Sequence, residues 1–180
     1  MTNSESHGFI VWLTGLPASG KTTIAHFMQK QLANEGIKTI VIDSDQMRKI
    51  LTPDPTYDDA ERSWFYRALT DLALWLAQNE LNVLIAATAN RRAYRVPIRQ
   101  RAEHYAEVFV KCDLEICIQR DPKGIYARAL RDETRTVPGM GSPYEAPFTP
   151  EVIIDSGEYP AETAATIVIS ELRASGTILS

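Results

Sequence analysis

Gly15-Leu16-Pro17-Ala18-Ser19-Gly20-Lys21-Thr22 is the stretch on which the fold turns. Before it stands Phe9-Ile10-Val11-Trp12-Leu13-Thr14, a nearly continuous apolar run of the kind a parallel strand buried on both faces requires. After it, Ile24, Phe27, Met28 and Leu32 recur at three- and four-residue spacing until Gly36, which reads as a helix and its stop. A strand, a glycine-bounded turn and a helix in that order form a phosphate-binding loop. Gly15 and Gly20 allow a tight turn whose amides point inward, and the helix N-terminus adds partial positive charge beneath the phosphates. Lys21 supplies a point charge for β- and γ-phosphates, and the Thr22 hydroxyl is placed to coordinate a bridging magnesium ion. ATP, or a close relative, and Mg²⁺ are therefore the expected cofactors.

Further strands follow outward from this loop. Thr39-Ile40-Val41-Ile42 is β-branched and ends at Asp43, so it delivers Asp43 and Asp45 to the carboxyl end of a second strand. Ligands of such folds collect there, so one aspartate is expected to take an acceptor's proton and the other to hold Mg²⁺ through water. Asp45 reads alternatively as a cap for the short segment 46–51. A long helical stretch from about Asp58 to Asn79, strands at Asn82–Ala87 and Ala106–Cys112, and a last strand and helix near 152–155 and 160–174 complete the pattern. The alternation predicts a single α/β domain over residues 1–180, a P-loop NTPase fold with a parallel sheet and helices on both faces. Residues 121–150 are dense in proline and glycine, which favours a flexible lid over a packed element.

Composition narrows the partners. A net charge of −4 and a pI near 5.4 give no basic footprint for nucleic acid or an anionic membrane. No apolar run approaches the roughly 20 residues of a membrane span, and residues 1–10 lack the order of a signal peptide, so a cytoplasmic protein is expected. Cys112 and Cys117, five apart in an apolar stretch, read as core residues, and the three histidines lack ligand spacing. Against the acidic total, Arg48, Arg62, Arg91, Arg92, Arg95, Arg120, Lys123 and Arg128 fall in segments expected at the same end of the sheet, which points to a small anionic acceptor.

Four segments together carry a resemblance: Gly15 to Thr23, Asp43-x-Asp45-x-x-Arg48, Gln119-Arg120-Asp121-Pro122-Lys123-Gly124-Ile125-Tyr126, and Gly141-Ser142-Pro143-Tyr144-Glu145-Ala146-Pro147. From about Gly8 to Asp155 the chain resembles the adenylylsulfate kinases. The resemblance implies transfer of the ATP γ-phosphate to the 3′-hydroxyl of adenosine 5′-phosphosulfate (APS), giving PAPS, by a homodimer with a mobile lid. It places the nucleotide on Gly15, Pro17, Ala18, Ser19, Gly20, Lys21, Thr22, Thr23 and Arg120. It places catalysis on Asp43, Lys21 and Asp45, and the acceptor on Asp45, Arg48, Tyr57, Arg62 and Lys123. The chain departs from the family on the acceptor side. Ser44 replaces a glycine, and the Asp-Arg-x-x-Asn signature reads Glu61-Arg62-Ser63-Trp64-Phe65, so a substrate-contacting amide becomes an apolar ring. A Ser-Pro-aromatic-Arg segment becomes Asn90-Arg91-Arg92-Ala93, and Val137 stands where the lid carries a second adenine-stacking ring. These departures leave room for a kinase of the same fold acting on another small anionic hydroxyl compound, or for a nucleotide sensor without turnover.

Overall fold

The computed structural model describes residues 7–131 and 136–178. Five parallel strands form one sheet: β1 (Ile10–Thr14), β2 (Thr39–Asp43), β3 (Asn82–Ala86), β4 (Tyr105–Lys111) and β5 (Val152–Asp155). Their spatial order is β2-β3-β1-β4-β5, so β1 is central, with Leu13 beside Ala86 of β3 on one flank and Val108 of β4 on the other. Strand β1 is buried along its whole length, as its apolar run requires.

Side-chain alternation along β1 divides the core in two. Val11 and Leu13 point to the face covered by α1 (Lys21–Asn34) and α7 (Ala161–Ala174), among Ile24, Met28, Val168 and Leu172. Ile10 and Trp12 point to the opposite face, covered by α3 (Asp59–Gln78) and α4 (Val96–Arg101), among Phe65, Leu69, Ala73 and Ile98. The Trp12 indole donates to the Ala87 carbonyl at 3.2 Å, so its one polar atom is satisfied inside the core. Among the described residues no helix is long and apolar enough to cross a membrane.

Two expectations need correction. The segment 121–150, read as a flexible lid, contains a packed element: α6 (Ile125–Leu130) follows α5 (Leu114–Arg120), and Tyr126 is fully buried with Cys112, Cys117 and Val137. Residues 132–135 of that segment lie outside the described residues. The physical reason is that Asp121, Pro122 and Gly124 form a turn between two short helices, with Gly124 in the left-handed region at φ 62°. The cysteines are core residues as expected, and burial pushes the Cys117 thiol up to about 12.

The second correction concerns Arg95, which does not face a ligand. It is buried, and its Nε donates to Glu107 of β4 at 2.5 Å while its other nitrogens meet the carbonyls of Ala89 and Glu145. A buried ion pair stripped of one partner strands a charge. Arg95→Met should therefore lower the unfolding free energy by about 3–5 kcal/mol in denaturant titrations. Arg101→Ala, which breaks a half-exposed pair with Asp71, should cost within about 1 kcal/mol.

Candidate active site

The loop between β1 and α1 is shaped by close contacts. A Cβ on Gly15 would lie 2.3 Å from the Val110 carbonyl oxygen, so only glycine fits beside β4. Gly20 ends the loop at φ 91°, a left-handed turn that opens α1. Ala18 holds φ 60° without glycine's freedom, a local strain of the kind that gathers at binding loops. The Tyr126 hydroxyl of α6 donates to the Pro17 carbonyl at 3.0 Å, which pins the outer turn. Sequence reasoning quoted Tyr126 in a motif without giving it this task; its fixed place after Arg-Asp-Pro-Lys-Gly was the available signal.

Lys21 opens α1 and lies back along the loop. Its ammonium donates to the carbonyls of Leu16 at 2.7 Å and Gly15 at 3.1 Å. Burial lowers its pKa to about 8, against the upward pull of the Asp45 and Asp43 carboxylates. Such a cation gains the most from an arriving polyphosphate, because it has given up its water already.

Asp43 closes β2 and is almost fully buried. Strand β2 runs directly into α2 (Ser44–Leu51), so the cap expected of Asp45 belongs to Asp43. Its Oδ1 accepts the amides of Asp45 at 2.8 Å and Gln46 at 3.1 Å, and its Oδ2 accepts the Thr22 hydroxyl at 2.6 Å. Because Thr22 gives its hydrogen to Asp43, the lone pairs of its oxygen remain for a cation. Asp45, one residue into α2, forms an ion pair with Lys123, which lies between α5 and α6. Lys21, Thr22, Asp45, Arg120 and Lys123 line one cleft of about 660 Å³, together with Pro17, Ala18, Gly20 and Thr23. Arg120 is held there by the Ser156 carbonyl at 2.7 Å.

The remaining acceptor-side residues form a second cluster. Arg48 of α2 and Arg62 of α3 are both buried, and Tyr57 lies between them with its ring centroid 4.8 Å from the Arg48 guanidinium and 5.8 Å from that of Arg62. Glu61 pairs with Arg48 and accepts the Tyr57 amide at 2.8 Å. Burial raises the Glu61 pKa, but the Tyr57 amide, Arg48 and Thr56 outweigh it and hold the carboxyl below its usual range. Asn90 is a hub that sequence reasoning noted only as a departure: it accepts from Arg62 at 3.1 Å and donates to the Pro143 carbonyl at 3.0 Å. Arg91 and Arg92 pair with Asp59 and Glu145 instead, and Arg128 is exposed with a bond to its own helix's Gly124 carbonyl.

The chain is similar to known proteins over most of its length. The sequence model described as adenylylsulphate kinase matches residues 7–155. The chain is 38% identical over 166 residues to a probable adenylyl-sulfate kinase of Bacillus subtilis strain 168, covering 91% of this chain and 84% of the relative. It is 34% identical over 148 residues to a probable adenylyl-sulfate kinase of Archaeoglobus fulgidus, covering 82% and 96% respectively. The solved structure of the Mycobacterium tuberculosis APS kinase in complex with AMPPNP and APS superposes with a TM-score of 0.87 at 32% identity, over 93% of this chain and 98% of that one.

The buried lysine sets a pH dependence for any triphosphate the loop takes. Free Lys21 loses its proton as pH rises through about 8, whereas bound phosphate favours the charged form. ATP affinity, measured by titration calorimetry, should hold below that pH and fall above it, toward about tenfold per pH unit. In Lys21→Met, binding should be weaker throughout and flat across the same range.

Proposed function

The chain belongs to the adenylylsulphate kinase family, and from that premise we propose how its own residues carry the phosphoryl group of ATP to the 3′-hydroxyl of APS, giving PAPS. The observation that carries the reading is the 2.6 Å bond between Thr22 of the phosphate loop and Asp43 of β2, beside the Lys21 ammonium. It ties the group that faces the donor phosphates to the carboxylate expected to face the acceptor hydroxyl.

Phosphoryl transfer asks the protein mainly for alignment and for charge to meet the equatorial oxygens. Lys21 and the backbone amides of Gly20, Lys21 and Thr22, where the loop opens α1, receive the β- and γ-phosphates, and Arg120 lines the same cleft. The Thr22 hydroxyl oxygen suits the hard Mg²⁺ ion, which commonly binds through one or two protein oxygens and the substrate's phosphates. When bound there through Thr22, Mg²⁺ supplies neutralisation of charge on the transferring group.

Asp43 is the group that accepts the acceptor's proton. A carboxylate offers about four lone-pair sites, and two amides and one hydroxyl occupy three, so the last is held in a fixed direction. Asp45 and Lys123 pair across the mouth of the cleft. Arg48, Tyr57 and Arg62 receive the anionic nucleotide acceptor. A homodimer and a cytoplasmic location belong to the same proposal.

A coupled ADP-release assay with ATP, Mg²⁺ and a panel of APS, sugars and nucleotides tests the reaction: APS should stimulate release, and stimulation by another hydroxyl compound alone would overturn the reading. In the same assay Asp43→Asn should lower kcat about 10²–10⁴-fold, the range of a lost general base. Asp45→Asn should lower kcat less than about tenfold; the opposite ranking would move the proton to Asp45.

A further inference from the structure

Arg48 lies against two aromatic rings. Its guanidinium carbon lies 4.0 Å from the Phe65 ring centroid and 4.8 Å from that of Tyr57. Phe65 is fully buried on α3 and meets Tyr66 edge-on, with centroids 5.4 Å apart at 72°, so its ring has no freedom to follow the arginine. Tyr57 is fixed in a strained left-handed conformation at φ 58°, with its amide on Glu61 and its carbonyl accepting Arg62 Nε at 2.8 Å. Glu61 takes one edge of the guanidinium. Two rings, the Glu61 carboxylate and a hydrogen bond with the Tyr66 hydroxyl thereby fix Arg48.

A guanidinium donates only in its own plane. Contacts with aromatic rings consume none of its N–H groups, so those not taken by Glu61 and Tyr66 remain for hydrogen bonding, whereas a side-chain amide at position 65 would contribute a single neutral hydrogen bond of its own. We propose that Phe65, standing where the family signature carries asparagine, is a positioning residue for the acceptor. By ring electrostatics it orients Arg48 so that the in-plane donors meet the anionic phosphosulfate of the nucleotide. The chain thus replaces a direct neutral contact with a better-aimed charged one, and its preference is for acceptors bearing an anion that accepts planar donors. This assignment rests on APS being the acceptor.

The test changes the ring's charge distribution without changing its shape. Phenylalanine bearing one, two or three fluorines is introduced at position 65 by nonsense suppression, and KM for APS and for ATP are measured with kcat. A cation–π role predicts that KM for APS rises stepwise with fluorine number, by about two- to thirtyfold in total, while KM for ATP and kcat stay near wild type. Phe65→Leu should show a rise of the same size, and Phe65→Tyr, which keeps the ring face, should restore KM for APS. A flat fluorine series, or KM for ATP rising in parallel, would overturn the role of Phe65 while leaving the reaction intact. Absence of APS turnover by the wild-type protein would overturn the reaction itself, and the assignment with it.

Discussion

The hydrogen bond from Thr22 to Asp43 joins the two halves on which the rest of the site depends. Thr22 belongs to the helix that follows the phosphate loop, and Asp43 to β2, two places from β1 across the sheet. The same carboxylate caps α2, so one buried side chain fixes the start of the helix that carries Asp45 and Arg48. Any displacement of β2 against the phosphate loop would break the hydroxyl contact and carry α2, with Asp45 and Arg48, along with it. Donor and acceptor geometry are thus coupled through a group nearly withdrawn from water, where hydrogen bonds to a charge are strong.

The donor half was legible in the sequence because its signal is local. A buried strand, two glycines at fixed spacing and a lysine-threonine pair lie within fourteen consecutive residues, and the structure places each where the pattern requires. The acceptor half was less legible because its contacts are long-range. Asn90 bonds residues 28 and 53 positions away, and Arg95 is neutralised by a glutamate on a neighbouring strand; neither partner is marked by spacing. The packing of residues 121–131 was missed for a different reason. Proline and glycine density correctly marked a turn, but the helices flanking it are six and seven residues long, too short for periodicity to declare. The cap was misassigned by two residues because a strand that passes straight into a helix leaves no loop to mark the boundary.

The family departures also acquire a physical sense. Phe65 looked like a lost hydrogen bond and is instead the floor beneath Arg48. Asn90 anchors Arg62 to the segment carrying Ser142 to Pro147, which ties the acceptor cluster to β1 through the contact of Tyr144 with Thr14 at 3.0 Å. Val137 joins Tyr126 in the small core behind the phosphate loop. Changes on the acceptor side therefore alter how cations are held, while the Lys21 ammonium, the Thr22 hydroxyl and the Asp43 carboxylate stay gathered at the phosphate loop.

The most direct measurement of the central claim is phosphorus NMR of the products formed from ATP, Mg²⁺ and APS by the wild-type protein. The account predicts ADP together with a new phosphomonoester resonance coupled to the ribose 3′-proton. ADP accompanied only by inorganic phosphate, or a phosphate coupled to a different ribose proton, would contradict it.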